Sequence, residues 1–188
     1  NAFLAKMISF IIEMSQLCEK VGADVHSIAK GMGLDGSIGR KFLHAGTGYG
    51  CYCFPKDTLA LIRISQEHGS SCRIVESVVE VNAAQKARMV SKISQALGGT
   101  DAHKTIAVLG LTFKPETDDM RDSPSLAILP ALADKGASIR AHDPEGIDEA
   151  KSLLPNSILY FDSIYEALHD SDAVVLMTEW NQYRGLDL

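Results

Sequence analysis

The strongest constraint on the fold is a change of period near Thr100. Before it, apolar residues recur at three- and four-residue steps. They do so first at Leu4, Met7, Ile8, Ile11, Ile12, Met14, Leu17 and Cys18, then over a longer run from Ile74 through Val78, Val90 and Ile93 to Leu97. After it, apolar runs shorten to Thr105–Leu109, Ser138–Pro144, Ile158–Phe161 and Ala173–Met177, each separated by a helical stretch. Strands alternating with helices imply a parallel sheet with crossovers on its faces, and its ligand is expected beyond the strand C-termini. The expected class is therefore α + α/β, with a helical part over 1–99 and a doubly wound α/β part over 100–188.

Local signals fix the boundaries. Gly22 ends the first helix, Asp24 caps a short helix through Met32, and residues 33–39 read as loop. Pro55 at a first helical position opens a helix that runs to His68 and Gly69. The long helix ends at Gly98-Gly99, and Ser123-Pro124 opens another. Phe3 and Phe10 widen the stripe of the first helix, so it is expected to be covered on more than one side. The long helix likewise needs a facing surface.

Between the helices lies Gly46-Thr47-Gly48-Tyr49-Gly50-Cys51-Tyr52-Cys53-Phe54-Pro55-Lys56-Asp57. Closely spaced glycines let backbone approach a bound group, and they run into a thiol, a lysine and a carboxylate. A cysteine at the mouth of a helix meets unpaired N–H groups and the positive end of the helix dipole. Both favour thiolate, and Lys56 adds a cation. Cys53 is thus a candidate nucleophile, set against the commoner case of a small buried thiol beside a turn. The Arg40-Lys41 pair fits a bound phosphate or an ordinary solvated loop.

The remaining composition excludes other classes. A formal charge of −6 with no run of Lys or Arg argues against nucleic acid or an anionic membrane as partner, leaving small molecules or protein. Phe3 to Leu17 carries too many polar residues for a membrane span and lacks the marks of a signal peptide, so the chain reads as cytoplasmic. Cys18, Cys51, Cys53 and Cys72 form neither a disulfide framework nor a zinc spacing, and no metal is expected. Opening inside a helical pattern without Met, the chain reads as a fragment. Gly110-Leu111-Thr112-Phe113-Lys114 follows the first strand with one glycine, short of the G-x-G-x-x-G dinucleotide fingerprint. Asp143, ending the second strand, suits a ribose hydroxyl or a turn before Pro144.

Gly48-Tyr49-Gly50-x-x-Cys53-Phe54-Pro55-Lys56-Asp57 resembles the nucleophile motif G-[FY]-G-G-S-C-F-P-K-D of the UDP-glucose/GDP-mannose dehydrogenases. Asn1 to Ala5, Gly33-Leu34-Asp35, Ile38-Gly39, Phe42-Leu43, Leu109 to Lys114 and Arg121-Asp122-Ser123 follow in the family's order, so the resemblance covers the whole chain. It implies a helical central, dimerisation domain followed by a Rossmann-like UDP-binding domain, here C-terminally incomplete. The implied chemistry is oxidation of a UDP-hexose such as UDP-glucose, first to aldehyde and then to acid, through a cysteine adduct. NAD is the acceptor and is held mainly by an absent N-terminal domain, so the fragment alone is expected to be inactive. A UDP-sugar and a second copy of the chain are the implied partners.

By motif position Cys53 is the nucleophile, Asp57 orients water and Asn1 supports the oxyanion, the family's catalytic lysine lying four residues before Asn1. Phe42, Leu43, His44, Gly46, Gly48, Tyr49 and Gly50 match the substrate loop, and Phe113 and Lys114 match contacts to the sugar or uronate. Cys53, Lys56 and Arg121 match positions that meet NAD. Cys51 and Tyr52 depart from the family's glycine and serine, and Ser37 stands where the family often has arginine. If the replaced glycine has φ > 0, Cys51 brings strain. These departures keep open a second reading, a nucleotide-sugar-binding and dimerisation module of a divergent, inactive member.

Overall fold

A computed structural model describes residues 1–187, and the chain divides into two compact units, Asn1–Gln85 and the part from Lys86 on. The first unit is helical: α1 (Ala2–Val21), α2 (Val25–Met32), α3 (Cys53–Glu67) and the beginning of α4 (Arg73–Ala96). Gly22 adopts φ 71 and returns its N–H to the Cys18 carbonyl, the left-handed stop expected of a glycine after the last turn. The Asp24 carboxylate then accepts from the backbone of His26 and Ser27, both at 3.0 Å, so α2 begins where its cap stands. Ala5, Ile11, Ile12 and Cys18 bury one side of α1. Ala5 meets Tyr49 and Val78 in a small core that Ile8 and Phe54 flank.

Helix α3 starts two residues earlier than Pro55 predicts. Proline occupies the third helical position, where its missing N–H belongs to the first turn's unpaired donors and costs nothing. This moves Cys53 from the mouth of the helix to its first residue.

The second unit holds a parallel sheet in the order β3-β2-β1-β4, with β1 (Thr105–Leu109), β2 (Ser138–His142), β3 (Leu159–Tyr160) and β4 (Ala173–Leu176). β1 is central and buried along almost its whole length, as a strand covered on both faces must be, whereas edge strand β4 alternates. α5 (Ser125–Asp134), α6 (Ile147–Leu153) and α7 (Ile164–Leu168) connect the strands, and a 3-10 turn (Asn181–Gly185) follows β4. The core joins Ile106, Val108, Ile128, Leu129, Leu132 and Ile139 to Val90, Ile93 and Leu97, so the last turns of α4 belong to this unit. The boundary between the units falls within α4, before the glycine pair at which the sequence changes period.

β2 stops at His142, shorter than the sequence predicts, because Asp143 turns the chain and uses both of its oxygens locally. Oδ2 accepts from Leu111 N at 2.6 Å, Thr112 N at 3.2 Å and Thr112 Oγ1 at 3.3 Å. Oδ1 accepts from Glu145 N at 3.0 Å and Gly146 N at 2.7 Å. One carboxylate, 2% exposed, thereby ties the loop after β1 to the start of α6. Asp143→Ala leaves these buried donors without a partner and is expected to destabilise the second unit by about 3 kcal/mol. The chain's one tryptophan, Trp180, is buried in this unit, so its fluorescence during urea unfolding reads the effect directly.

Candidate active site

In the helical unit the glycine-rich loop is fastened by two side chains of α4. The Asn82 amide pairs with both polar groups of one residue: its Oδ1 accepts from Tyr49 N at 2.8 Å and its Nδ2 donates to Tyr49 O at 3.1 Å. One turn on, Gln85 Nε2 donates to Gly46 O at 2.7 Å, while its Oε1 accepts from Gln16 of α1 at 3.0 Å. Asn82 and Gln85 are 6% and 5% exposed, so these bonds replace water that the loop's backbone does not have. Neither residue stands out in the sequence as part of a site. The available signal was two amides in the Val78 stripe of an otherwise apolar helix face.

The expected substrate residues divide by environment. His44 and Gly46 are exposed, and Phe42, at φ 64, sets its ring 6.2 Å from Phe54. Tyr49 packs edge-on to Phe54 at 6.0 Å and is buried together with its backbone, so it shapes the loop from inside; burial pushes its phenol up. Leu43, 3% exposed, lines an apolar cavity of ≈ 230 Å³ with Phe3, Met7 and Phe10 of α1. Gly48 takes φ 124, a conformation a side chain strains to reach.

The three expected catalytic residues lie on neighbouring segments of this unit. Cys53 is exposed at the first position of α3, and Asp57 follows one helical turn later, so both belong to one face. Asn1 Nδ2 donates to Asp57 Oδ2 at 2.5 Å, and Lys56 Nζ lies 3.5 Å from the other oxygen. The Asn1 hydrogen bond, with Lys56 adding to it, holds the Asp57 carboxyl below its usual range, so it stays an acceptor near neutral pH. Lys56 Nζ also sits 4.9 Å over the Tyr52 ring. Thr58, fully buried, donates to the Phe54 carbonyl at 2.7 Å and anchors the first turn from beneath.

In the second unit the strand order reverses at β1, with β2 on one side and β4 on the other. A ligand crevice is expected outside that point. The loop glycine there, Gly110 at φ 88, is pressed against Thr178: a Cβ on it would stand 2.5 Å from that of Thr178. Thr178 Oγ1 in turn donates to Thr112 O at 2.6 Å. The close packing against Thr178, together with the positive φ, therefore requires glycine at 110. Asp143, its oxygens engaged by five donors, is a structural carboxylate and not a ribose ligand. Lys114 is exposed, its Nζ 5.3 Å from the Phe113 ring centre. Arg121 makes a two-pronged pair with Asp119, Nε to Oδ1 at 2.9 Å and a terminal nitrogen to Oδ2 at 2.7 Å, while its side chain stays 62% exposed. Among the described residues, no three His, Cys, Asp or Glu side chains are placed to hold a metal ion, and no helix is long and apolar enough to cross a membrane.

Cys51 adopts φ 73, the left-handed region that the sequence comparison with the family's glycine anticipates as strained. A side chain costs about 1–2 kcal/mol there, and glycine regains most of it after its own entropic cost. Cys51→Gly is expected to stabilise the helical unit by about 1 kcal/mol, while Cys51→Ala, which keeps the strain, changes little. Urea unfolding followed by far-ultraviolet circular dichroism compares the two; equal midpoints would remove the strain argument.

Two family models match the chain: the UDP-glucose/GDP-mannose dehydrogenase family, central domain, over residues 1–84, and the same family's UDP binding domain over 107–188. The UDP-glucose 6-dehydrogenase of Rhizobium meliloti (strain 1021) is 54% identical over 187 residues, and the UDP-glucose 6-dehydrogenase YwqF of Bacillus subtilis (strain 168) 51% identical over 188. Each match covers 100% of this chain but only 43% and 42% of the relative. A solved UDP-glucose dehydrogenase from Pyrobaculum islandicum superposes with a TM-score of 0.95 at 38% identity, over 100% of this chain and 43% of that one. The helical unit with its Cys53 loop and the parallel-sheet unit thus match that family's models in order, and the chain belongs to the UDP-glucose/GDP-mannose dehydrogenase family.

Proposed function

We propose that this chain is the central and C-terminal part of an NAD-dependent UDP-glucose 6-dehydrogenase, which takes UDP-glucose to UDP-glucuronate in two oxidations. The observation that carries the reading is the placement of Cys53, Asp57 and Asn1: an exposed thiol with a carboxylate and an amide one turn away. In the proposed division, residues 1–99 form the dimerisation domain and 100–188 hold the UDP-sugar.

NAD, when bound, supplies the hydride acceptor for both oxidations. This chain's residues suit a contact at its edge, through Cys53, Lys56 and Arg121, since the loop after β1 carries one glycine and not the fingerprint that cradles a pyrophosphate. Cys53 adds as thiolate to the aldehyde carbon of the sugar, forming a thiohemiacetal whose oxidised form is a thioester. Asp57 accepts a hydrogen bond from the water that cleaves the thioester, and Asn1, already donating to Asp57, fixes that carboxylate and supports the developing oxyanion. Phe42, Leu43, His44, Gly46, Gly48, Tyr49 and Gly50 form the sugar-binding loop, and Phe113 and Lys114 contact the sugar or its carboxylate.

The chain alone is expected to oxidise nothing. In the longer enzyme that carries it, two NADH form per UDP-glucose, and Cys53→Ala abolishes UDP-glucuronate formation. Chromatographic measurement of acid against NADH decides the matter. Undiminished acid from Cys53→Ala sinks the covalent mechanism, and turnover by the 188-residue chain sinks the division of labour.

A homodimer formed through the helical unit is part of the same reading. Phe3, Phe10, Leu17 and Val21 of α1 are 65%, 42%, 52% and 65% exposed. With Met7 and Met14 they repeat at the alternating four- and three-residue steps of a helix-pairing seam, on a side of α1 away from Ala5 and Ile12. Sedimentation equilibrium is expected to give a dimer, and Phe10→Glu a monomer. A monomeric wild type at tens of micromolar overturns this assignment.

A further inference from the structure

We propose that Cys51 and Cys53 form a reversible intramolecular disulfide when the protein meets a peroxide, so that Cys51 serves as the resolving thiol of the site. Both are free cysteines; Cys53 is exposed and Cys51 partly so, whereas Cys18 is buried in the α1 core. The separation of their Cα atoms is set by the one residue between them. Tyr52 has φ −56 and ψ −36, a right-handed helical conformation. Helical geometry over two residues gives a Cα separation of about 5.4 Å. Disulfides span about 4.4–6.8 Å, so this pair needs no adjustment of chain length. In a continuous helix, residues two apart project to opposite sides. Cys51 precedes α3, so that rule, which holds within a helix, does not fix the direction of its side chain. At φ 73 Cys51 also holds a side chain in a conformation that glycine accepts freely, the kind of outlier from which a functional role is worth inferring.

The chemistry balances with hydrogen peroxide as the named oxidant. The Cys53 thiolate attacks one peroxide oxygen, the O–O bond breaks, and hydroxide leaves with the electron pair, oxidising the sulfur to a sulfenic acid. The Cys51 sulfur then attacks Cys53 Sγ, the S–O bond breaks, and the departing oxygen takes the Cys51 proton to leave as water. A dithiol restores both thiols. While the disulfide stands, Cys53 cannot add to a carbonyl carbon. That consequence for turnover rests on the nucleophile role proposed above; disulfide formation does not.

Tryptic cleavage after Lys41 and Lys56 isolates both sulfurs in one peptide, residues 42–56, free of Cys18 and Cys72. After brief hydrogen peroxide treatment of the 188-residue chain, this peptide is expected about 2 Da lighter and restored by dithiothreitol. Under the same exposure Cys51→Ser and Cys51→Gly are expected to carry Cys53 to sulfinic and sulfonic acids, irreversibly and about tenfold faster than wild type. Cys51→Gly, which relieves the backbone, guards against a misfolded serine variant. Wild-type Cys53 reaching the sulfinic acid as fast as in either variant overturns the proposal, as does a disulfide to Cys72 or to a second chain. The readout is the oxidation state of sulfur, so its failure is separate from any failure of the dehydrogenase reading.

Discussion

The helical unit depends on one hydrogen-bonded pair, the Asn82 amide against the backbone of Tyr49. A glycine-rich loop has little side-chain surface to bury and loses more conformational entropy on ordering than any other sequence. Left to itself it would sample many shapes. Asn82 satisfies donor and acceptor of one residue at once and fixes both position and orientation, which a single hydrogen bond would not. Gln85 repeats the device one turn on at Gly46, and Gln16 holds Gln85 in turn. Because α4 carries both amides and α1 backs them, the loop inherits the rigidity of two helices.

The second unit solves a similar problem with charge. Asp143 gathers donors from the loop after β1 and from the two residues that lead into α6, so two connections leaving adjacent parallel strands are locked together. A buried carboxylate without such donors would be costly. Here the donors are the backbone N–H groups that a strand end and a helix start would otherwise leave unpaired. The same contacts occupy the acidic residue that a dinucleotide-binding domain spends on ribose, and Gly110 is required by its close approach to Thr178. The sheet keeps the doubly wound topology while its glycine loop serves packing.

What the sequence discloses follows from how local each signal is. Gly22 and Asp24 act within a turn of themselves, so the end of α1 and the start of α2 lie where those residues predict. β1 is bounded as expected because an apolar run between polar residues and Gly110 has no competing partner. α3 starts two residues before Pro55 because proline tolerates any of the first helical positions, and the packing of Phe54 against Phe42 and Tyr49 picks one. β2 ran short because the role of Asp143 depends on donors about thirty residues away in sequence. For the site, the motif around Cys53 names Cys53, Asp57 and Asn1 as candidates, while the hydrogen bond from Asn1 to Asp57 joins residues 56 positions apart and is visible only in the fold. Asn82 and Gln85 stayed hidden, since an amide in an apolar stripe names no partner until the chain has folded.

The strain at Cys51 belongs to this same arrangement. A left-handed non-glycine residue persists only where its neighbours leave no relaxed alternative. Upstream, Tyr49 is held by Asn82, and its ring is packed against Ala5 and Val78. Downstream, Cys53 is already helical and Phe54 is bonded to Thr58. Gly50, Cys51 and Tyr52 must span these two fixed ends. The direction change is concentrated at Cys51, because Tyr52 is committed to the right-handed conformation that begins α3. The clamp that orders the loop is therefore also what forces the thiol at 51 into a glycine's conformation. It places a second thiol one residue from Cys53, with the helical Tyr52 between them setting the separation of the two Cα atoms.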